Sequence, residues 1–262
     1  MKLFFSEFKA DYRNYHFPYQ VWLLKEEADD VEKIYENGFL PIRSIPGVFY
    51  LSRNIRVDLS KFEISSENRR ILRKSEKFES DLVPITEFNY NAQVQKLCRD
   101  YATKRFGKKI FPTSAIRNIF SGKVFNYVFI FKEIKTQTPV GYAVCFISTN
   151  FLQYAHSFYS LSYLNENLGA RMILEAVIWA KRSGKKIVYL GTCYEENALY
   201  KTEFKGVEFF NGFAWSTDME ELKRLIKRDS ETYLLEDKEY LEIFHEGNLG
   251  RLLDKYGVRV NI

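Results

Sequence analysis

The feature that most constrains this chain is a change of period between residues 125 and 190. Phe125–Phe131, Val140–Thr149 and Phe151–Tyr159 are apolar, aromatic and β-branched. Runs of that length and composition read as strands, and the polar stretch 132–139 reads as the turn of a hairpin. At Asn165 the period switches. Met172, Ile173, Ala176, Val177 and Ala180 fall on one stripe of a helix that runs to about Ser183 and stops at Gly184. Ile187–Leu190 is then a short buried strand closed by Gly191. Strand, helix and strand of these lengths form a crossover whose two strands lie parallel. Three antiparallel strands feeding a crossover predict an α/β chain of α+β type with a mixed, mostly antiparallel sheet.

The flanking segments yield to the same rules. A helix from about Ala28 to Asn37 is followed by Gly38, placed where a left-handed C-cap residue belongs. Gly47–Leu51 and Ile55–Ile64 are short extended segments, the second alternating through Val57, Leu59, Phe62 and Ile64. Ser66 starts a helix to about Phe78 on which Arg69, Arg70, Arg73, Lys74 and Lys77 share a face. That stripe is either a solvated surface or a contact for phosphates. Further helices are expected at Asn91–Phe106 and Ser114–Ser121. Beyond the crossover come a helix over Glu195–Thr202, an aromatic strand over Val207–Trp215, and a helix to about Arg228 opened by the capping box Thr217–Glu220. The tail after it is charged and amphipathic.

Composition narrows the function classes. A mean hydropathy of −0.32 with 46% hydrophobic and 28% charged residues fits a globular chain. No apolar run reaches the roughly 18 residues of a spanning helix, so no membrane partner is expected. Met1–Glu7 meets an acid before an apolar core builds, so the expected location is cytoplasmic. The 39 basic and 34 acidic residues leave +5, which permits a polyanionic partner without demanding one. Cys98, Cys145 and Cys193 are as scattered as His16, His156 and His245. Reduced thiols and no metal site follow.

A meander running into a crossover, then a helix and a last strand, is the order of a GNAT-type acyltransferase core. In such a core the two parallel strands splay, and backbone N–H groups in the gap can hold an acyl carbonyl. The place where a glycine-rich turn would cradle a CoA pyrophosphate reads Leu164-Asn165-Glu166-Asn167-Leu168-Gly169-Ala170-Arg171. One glycine and one acid serve that anion poorly, so another donor is expected. Three parts follow: an N-terminal subdomain over 1–83 carrying the basic helix, the GNAT-like core over 84–216, and a helical extension over 217–262.

Several spaced blocks point to a narrower likeness. They are Glu36-Asn37-Gly38-Phe39, then Asn54-Ile55-Arg56-Val57 through Phe62 and Ser65-Ser66 to Arg69-Arg70 and Arg73, then Phe158-Tyr159-Ser160, Tyr189-Leu190-Gly191, and Tyr200-Lys201 with Phe204. In this order, over Glu32 to Trp215, they resemble the arginyl- and leucyl-tRNA–protein transferases of the short bacterial type. The resemblance implies an enzyme that passes an amino acid from aminoacyl-tRNA to the N-terminal α-amine of an acceptor protein, marking that protein for degradation. Aminoacyl-tRNA would be the co-substrate and no other cofactor is implied. The chain departs from the family in two places. Phe49–Arg53 stands where a cysteine cluster is usual, and Thr192-Cys193-Tyr194 replaces an aromatic and an aliphatic residue.

The implied reaction needs positioning more than machinery, because the ester is already activated and an α-amine of pKa about 7.7–8.0 is partly neutral in the cell. The candidate catalytic residues are Tyr189 and Gly191, through backbone N–H groups of 189–192 that face an oxyanion. Glu196 is placed to take the amine proton, and Lys201 to bind the tRNA terminus or an acidic acceptor residue. Arg56, Arg69, Arg70, Arg73 and Lys74 would serve the tRNA acceptor stem or an acidic acceptor side chain. Tyr159 and Tyr200 would stack on the terminal adenine. Each has a plainer alternative: core packing for the tyrosines and the strand end, solvated surface for Glu196, Lys201 and the basic stripe. His156, in mid-strand, reads as a core histidine with its hydrogen bonds satisfied. Two rival functions stay open, an acyl-CoA-dependent GNAT acyltransferase and a catalytically silent tRNA- or protein-binding relative.

Overall fold

The computed structural model describes residues 2–8, 10–11, 13, 18–107, 110–228 and 233–247. His16 and the part of the expected C-terminal extension beyond 247 lie outside these residues. In chain order the elements are β1 (Lys2–Glu7), β2 (Tyr19–Leu24), α1 (Val31–Glu36), β3 (Phe39–Pro41), β4 (Val48–Leu51), β5 (Asn54–Asp58), α2 (Ser66–Lys74), β6 (Phe78–Pro84), α3 (Ala92–Phe106) and α4 (Thr113–Ile119). There follow β7 (Tyr127–Glu133), β8 (Pro139–Ile147), β9 (Phe151–Tyr159), α5 (Leu168–Arg182), β10 (Ile187–Thr192), β11 (Val207–Phe210), β12 (Trp215–Ser216), α6 (Met219–Lys227) and α7 (Lys238–Phe244). Between β10 and β11, Glu196–Thr202 is a 3₁₀ helix rather than an α-helix.

The chain divides into two units, one of residues 1–6 and 20–217, the other of 7–19 with 218 onward. The first unit holds an eight-stranded sheet ordered β12-β11-β5-β10-β9-β8-β7-β6 and a four-stranded sheet ordered β1-β2-β4-β3. In the larger sheet every neighbouring pair is antiparallel except β9–β10, where the expected crossover makes them parallel. The mixed α/β architecture with its strand–helix–strand crossover therefore stands. β5 and β6 are strands of this sheet, so it draws on both sides of residue 83.

The helices sit where their apolar stripes dictate. Leu168, Met172, Ile173, Ala176, Val177 and Ala180 are buried along α5, and Trp179 meets Phe129 of β7 at 5.9 Å. The neighbour of Phe129, Val128, instead joins a core with Val94 and Cys98 of α3 and Ile116 of α4. Successive strand residues face opposite sides, so α5 covers one face of the sheet and α3 with α4 the other. α2 packs against α5. α1 and the small sheet share a core with Phe151 and Tyr189, and Phe146 touches both that core and the α3 core, which puts them on the α3 side. There Tyr35 of α1 donates a buried hydrogen bond to Gln153 of β9, tying α1 to the large sheet.

Local chemistry corrects several expected boundaries. α2 ends at Lys74 because the Ser75 hydroxyl bonds the Ile71 carbonyl at 2.6 Å, and Phe78 opens β6. Lys77 therefore leaves the basic stripe and pairs with Glu166. α5 starts at Asn167, in the left-handed conformation, and not at Asn165. The long aromatic strand over 207–215 is broken at Asn211, whose side chain accepts from the N–H groups of Phe213 and Ala214. In the second unit, Asp218 caps α6 by accepting from Glu220 and Glu221, and Arg224–Glu239 and Arg228–Asp237 ion pairs join α6 to α7.

Candidate active site

The site begins where the parallel pair parts. β10 and β9 bridge at Ile187–Phe151, Val188–Leu152 and Tyr189–Gln153, and the pairing stops there. Beyond that point β9 continues for six residues, whereas β10 bulges between Tyr189 and Gly191 against β5. Gly191 sits at φ +82°, which a side chain would strain. The edge of β10 that faces β9 is thus without a strand partner over Leu190–Thr192, the geometry expected of the acyl-binding gap.

Two cavities open into this gap. One, of about 450 Å³, is walled by Tyr101, Arg105 and Phe106 of α3, Phe111, β9 from Tyr154 to Phe158, and Tyr194, Glu195, Asn197 and Tyr200. The other, of about 380 Å³, is walled by Leu40–Arg43, Tyr50, Phe125, Gln153 and Gly191. Ala155, His156, Leu190, Thr192 and Lys201 line both, so the cavities are adjoining chambers of one cleft. Their linings carry Arg43, Arg105 and Lys201 against one carboxylate, Glu195.

Lys201 is the central group. Its Nζ donates to the Thr192 carbonyl at 2.8 Å, tying the 3₁₀ helix to the end of β10. Burial pulls its pKa below the usual lysine value. Arg43 lies 4.2 Å over the Phe111 ring and donates to the Ile110 carbonyl at 2.8 Å, and burial lowers its pKa too. Tyr194 accepts the Arg53 N–H at 2.9 Å and is held under the Arg53 guanidinium.

His156 departs from its expected role. Its ring lies edge-on to Phe125 at 5.4 Å and Phe111 at 6.0 Å, lines both chambers, and forms no hydrogen bond with the described residues. Burial, reinforced by the charge of Arg43, pushes its pKa down to about 3. The folded state thus disfavours the proton relative to the unfolded chain at about 6.5, so stability is full above 6.5 and is lost as pH falls toward 3. His156→Gln is expected to flatten that acid limb. In proton NMR the His156 ring resonances should hold constant from pH 8 to 5; a midpoint near 6.5 would contradict a ring kept neutral between Phe111, Phe125 and the charge of Arg43.

The other expected site residues divide. Gly191, Tyr200 and Lys201 meet in the cleft. The Tyr189 side chain is core, 5.1 Å from Tyr35 and 5.2 Å from Phe151, and its backbone is paired with Arg56 of β5 and Gln153 of β9, so Tyr189 closes the gap from below and does not line it. Glu196 is exposed and lines neither chamber, while its neighbour Glu195 does. Tyr159 packs on Tyr101 at 4.6 Å and against Gly169 at the start of α5, where a Cβ would come within 2.8 Å of its hydroxyl. Arg56 is committed to Glu208 at 2.7 Å and to the Trp215 ring at 4.0 Å. Arg69, Arg70, Arg73 and Lys74 lie on α2, on the α5 side of the sheet, and line neither chamber. Arg70 pairs with Glu67, and Arg69 donates to the Ile64 carbonyl.

The sequence reading missed Tyr101, Arg105, Tyr154, Tyr194 and Arg43. The buried spacing Val94, Cys98, Tyr101, Ala102 marks the inner face of α3, but nothing local says that its last turn borders a cleft. Among the described residues no cluster of three His, Cys, Asp or Glu side chains could hold a metal, and all three cysteines are buried and free.

Neither a family model nor a curated protein matches the chain. Solved structures with partial likeness include the C-terminal domain of a protein described as a lysylphosphatidylglycerol synthetase from Agrobacterium fabrum, at 14% identity and TM-score 0.40 over 54% of this chain and 46% of that one. L-PGS from Bacillus licheniformis gives 14% and 0.39 over 62% and 49%, and FemX gives 11% and 0.39 over 62% and 59%. The chain spans about half the length of the first two. At such TM-scores the fold and the cleft rest on the chain's own strand order and side chains.

Proposed function

We propose that the chain is an aminoacyltransferase that draws an amino acid from aminoacyl-tRNA and passes it to the N-terminal α-amine of an acceptor protein in the β9–β10 cleft. The observation that carries this reading is the parting of the two parallel strands at Tyr189–Gln153, with the half-buried Lys201 at the head of the gap. The neutral amine attacks the ester carbonyl, forming an N–C bond. The C–O bond to the ribose breaks, and the amine proton ends on the departing ribose hydroxyl. Lys201 and the backbone N–H groups on the edge of 190–192 turned away from β5 would meet the developing oxyanion, in a cleft where fixed dipoles act more strongly than in water. The rings of Tyr194 and Tyr200 suit the terminal adenine.

The resemblance stated from sequence offers arginine or leucine as the transferred residue. Three cations against one carboxylate in the cleft lining favour leucine, since an arginyl side chain would be repelled. The acyl-CoA reading is disfavoured by the first turn of α5. Tyr159 fills the space beside Gly169, where the backbone would have to come close to a pyrophosphate.

The test offers the purified chain tRNA charged with labelled leucine or arginine, together with peptides of varied N-terminal residue, and in parallel acetyl-CoA with the same peptides. Label should move to peptide from tRNA, faster for leucine. Turnover of acetyl-CoA without tRNA, or no transfer from either tRNA, sinks the proposal.

A further inference from the structure

The expected polyanion surface, α2, lies on the far side of the sheet from the cleft, and another helix stands at its mouth. The last turn of α3, with Tyr101, Arg105 and Phe106, walls the first chamber. Beside it a groove of about 860 Å³ runs along the same helix, lined by Arg99, Asp100, Thr103, Lys104, Phe111 and Leu161, among others. Phe111 belongs to both, so one surface continues from the cleft onto α3.

The charge on that surface is in excess. Lys96 takes Asp100 at 2.6 Å, leaving Arg99 at 3.9 Å from the same carboxylate. Lys104 and Arg105 have no carboxylate partner among the described residues. The inner face of α3 is fixed in the core by Val94, Cys98, Tyr101 and Ala102, so the cations stand on a rigid support.

We propose that the acceptor arm of the tRNA lies along the exposed face of α3, with Arg99 and Lys104 on its phosphates and Arg105 at the entrance to the cleft, and that α2 is a solvated charged face. This rests on the aminoacyl-tRNA reading. From Arg99 to Arg105 the helix rises roughly 9 Å, over which a strand rising about 3.4 Å per nucleotide presents two to three phosphates. Arg99 and Lys104 line the groove and meet that number, while Arg105 walls the cleft at its end. A concave groove leading into a cleft fits a strand end better than a flat anionic lipid surface does.

The test measures binding of uncharged tRNA against salt concentration for three proteins: the wild type, Arg99→Ala/Lys104→Ala, and Arg73→Ala/Lys74→Ala. Each lost phosphate contact lowers the slope of log K against log salt by about 1. The α3 variant should lose about 2 from the slope and at least about tenfold in affinity at low salt, and the α2 variant should match the wild type. Loss of slope in the α2 variant alone overturns the α3 path while leaving the transferase reading intact. If the α3 variant loses only its affinity for phosphatidylglycerol vesicles and keeps its tRNA slope, the surface is a lipid contact and the proposal fails. Absence of salt-dependent tRNA binding in the wild type fails the transferase reading itself, and this inference with it.

Discussion

Lys201→Met is expected to lower aminoacyl transfer by about two to three orders of magnitude while leaving the protein folded. Removing one group that stabilises a developing oxyanion has that typical cost. The side chain it replaces is held in the cleft by one bond, to the Thr192 carbonyl, and its charge is disfavoured by burial. A lysine whose folded pKa is lowered reduces stability at every pH where it is charged, and stability recovers as pH rises through the folded value toward 10.5. Methionine keeps the length of the chain and removes that charge, and the freed Thr192 carbonyl can take a cleft water. The variant should therefore melt at or above the wild-type temperature at pH 7, with a weaker rise in stability on the alkaline side. Kinetic assays beside calorimetry check both parts. Full activity in the variant would remove Lys201 from the chemistry, and a large fall in Tm would make its role structural.

The second large effect is on the fold. Gly38→Ala is expected to cost about 2–4 kcal/mol, from a left-handed backbone forced on an alanine and from overpacking. Gly38 sits at φ +80°, two residues past the end of α1, and a Cβ there would clash with the Phe210 ring. That contact presses the α1–β3 turn onto β11, so the substitution meets both its own dihedral and a neighbour. For a domain of this size Tm should fall by roughly 5–15 °C. Adding Phe210→Leu gives the new methyl room without relieving the dihedral, so the double variant should be more stable than the sum of the two singles predicts. Strict additivity, read by thermal denaturation, would deny the ring contact.

Gly38 was legible because a helix stop followed by glycine has a local cause. The crossover was legible for the same kind of reason: α5 announces itself through the stripe from Met172 to Ala180, and β7 to β9 through unbroken apolar runs. Where long-range pairing decides, local pattern was silent. β5 alternates correctly, yet nothing in Asn54–Asp58 says that it lies between β10 and β11 near one end of an eight-stranded sheet. The basic stripe on α2 shows the limit most plainly. Helical spacing tells which residues share a face, but only the packing of α2 on α5 tells that this face turns away from the cleft. His156 failed for a related reason. A period of two places it on one side of β9, but the irregularity opposite Val144–Cys145 and the parting from β10 leave that side open to a cavity.

The most direct test of the central claim is a crosslink. A tRNA carrying a photoreactive 3′-terminal adenosine, bound to the protein, irradiated and digested, should attach to peptides containing Tyr194 and Tyr200, or Tyr101 across the chamber. Unmodified tRNA in excess should abolish the product. Attachment confined to α2 peptides, or spread over the surface without competition, would contradict the assignment of the β9–β10 cleft as the place where the aminoacyl end is received.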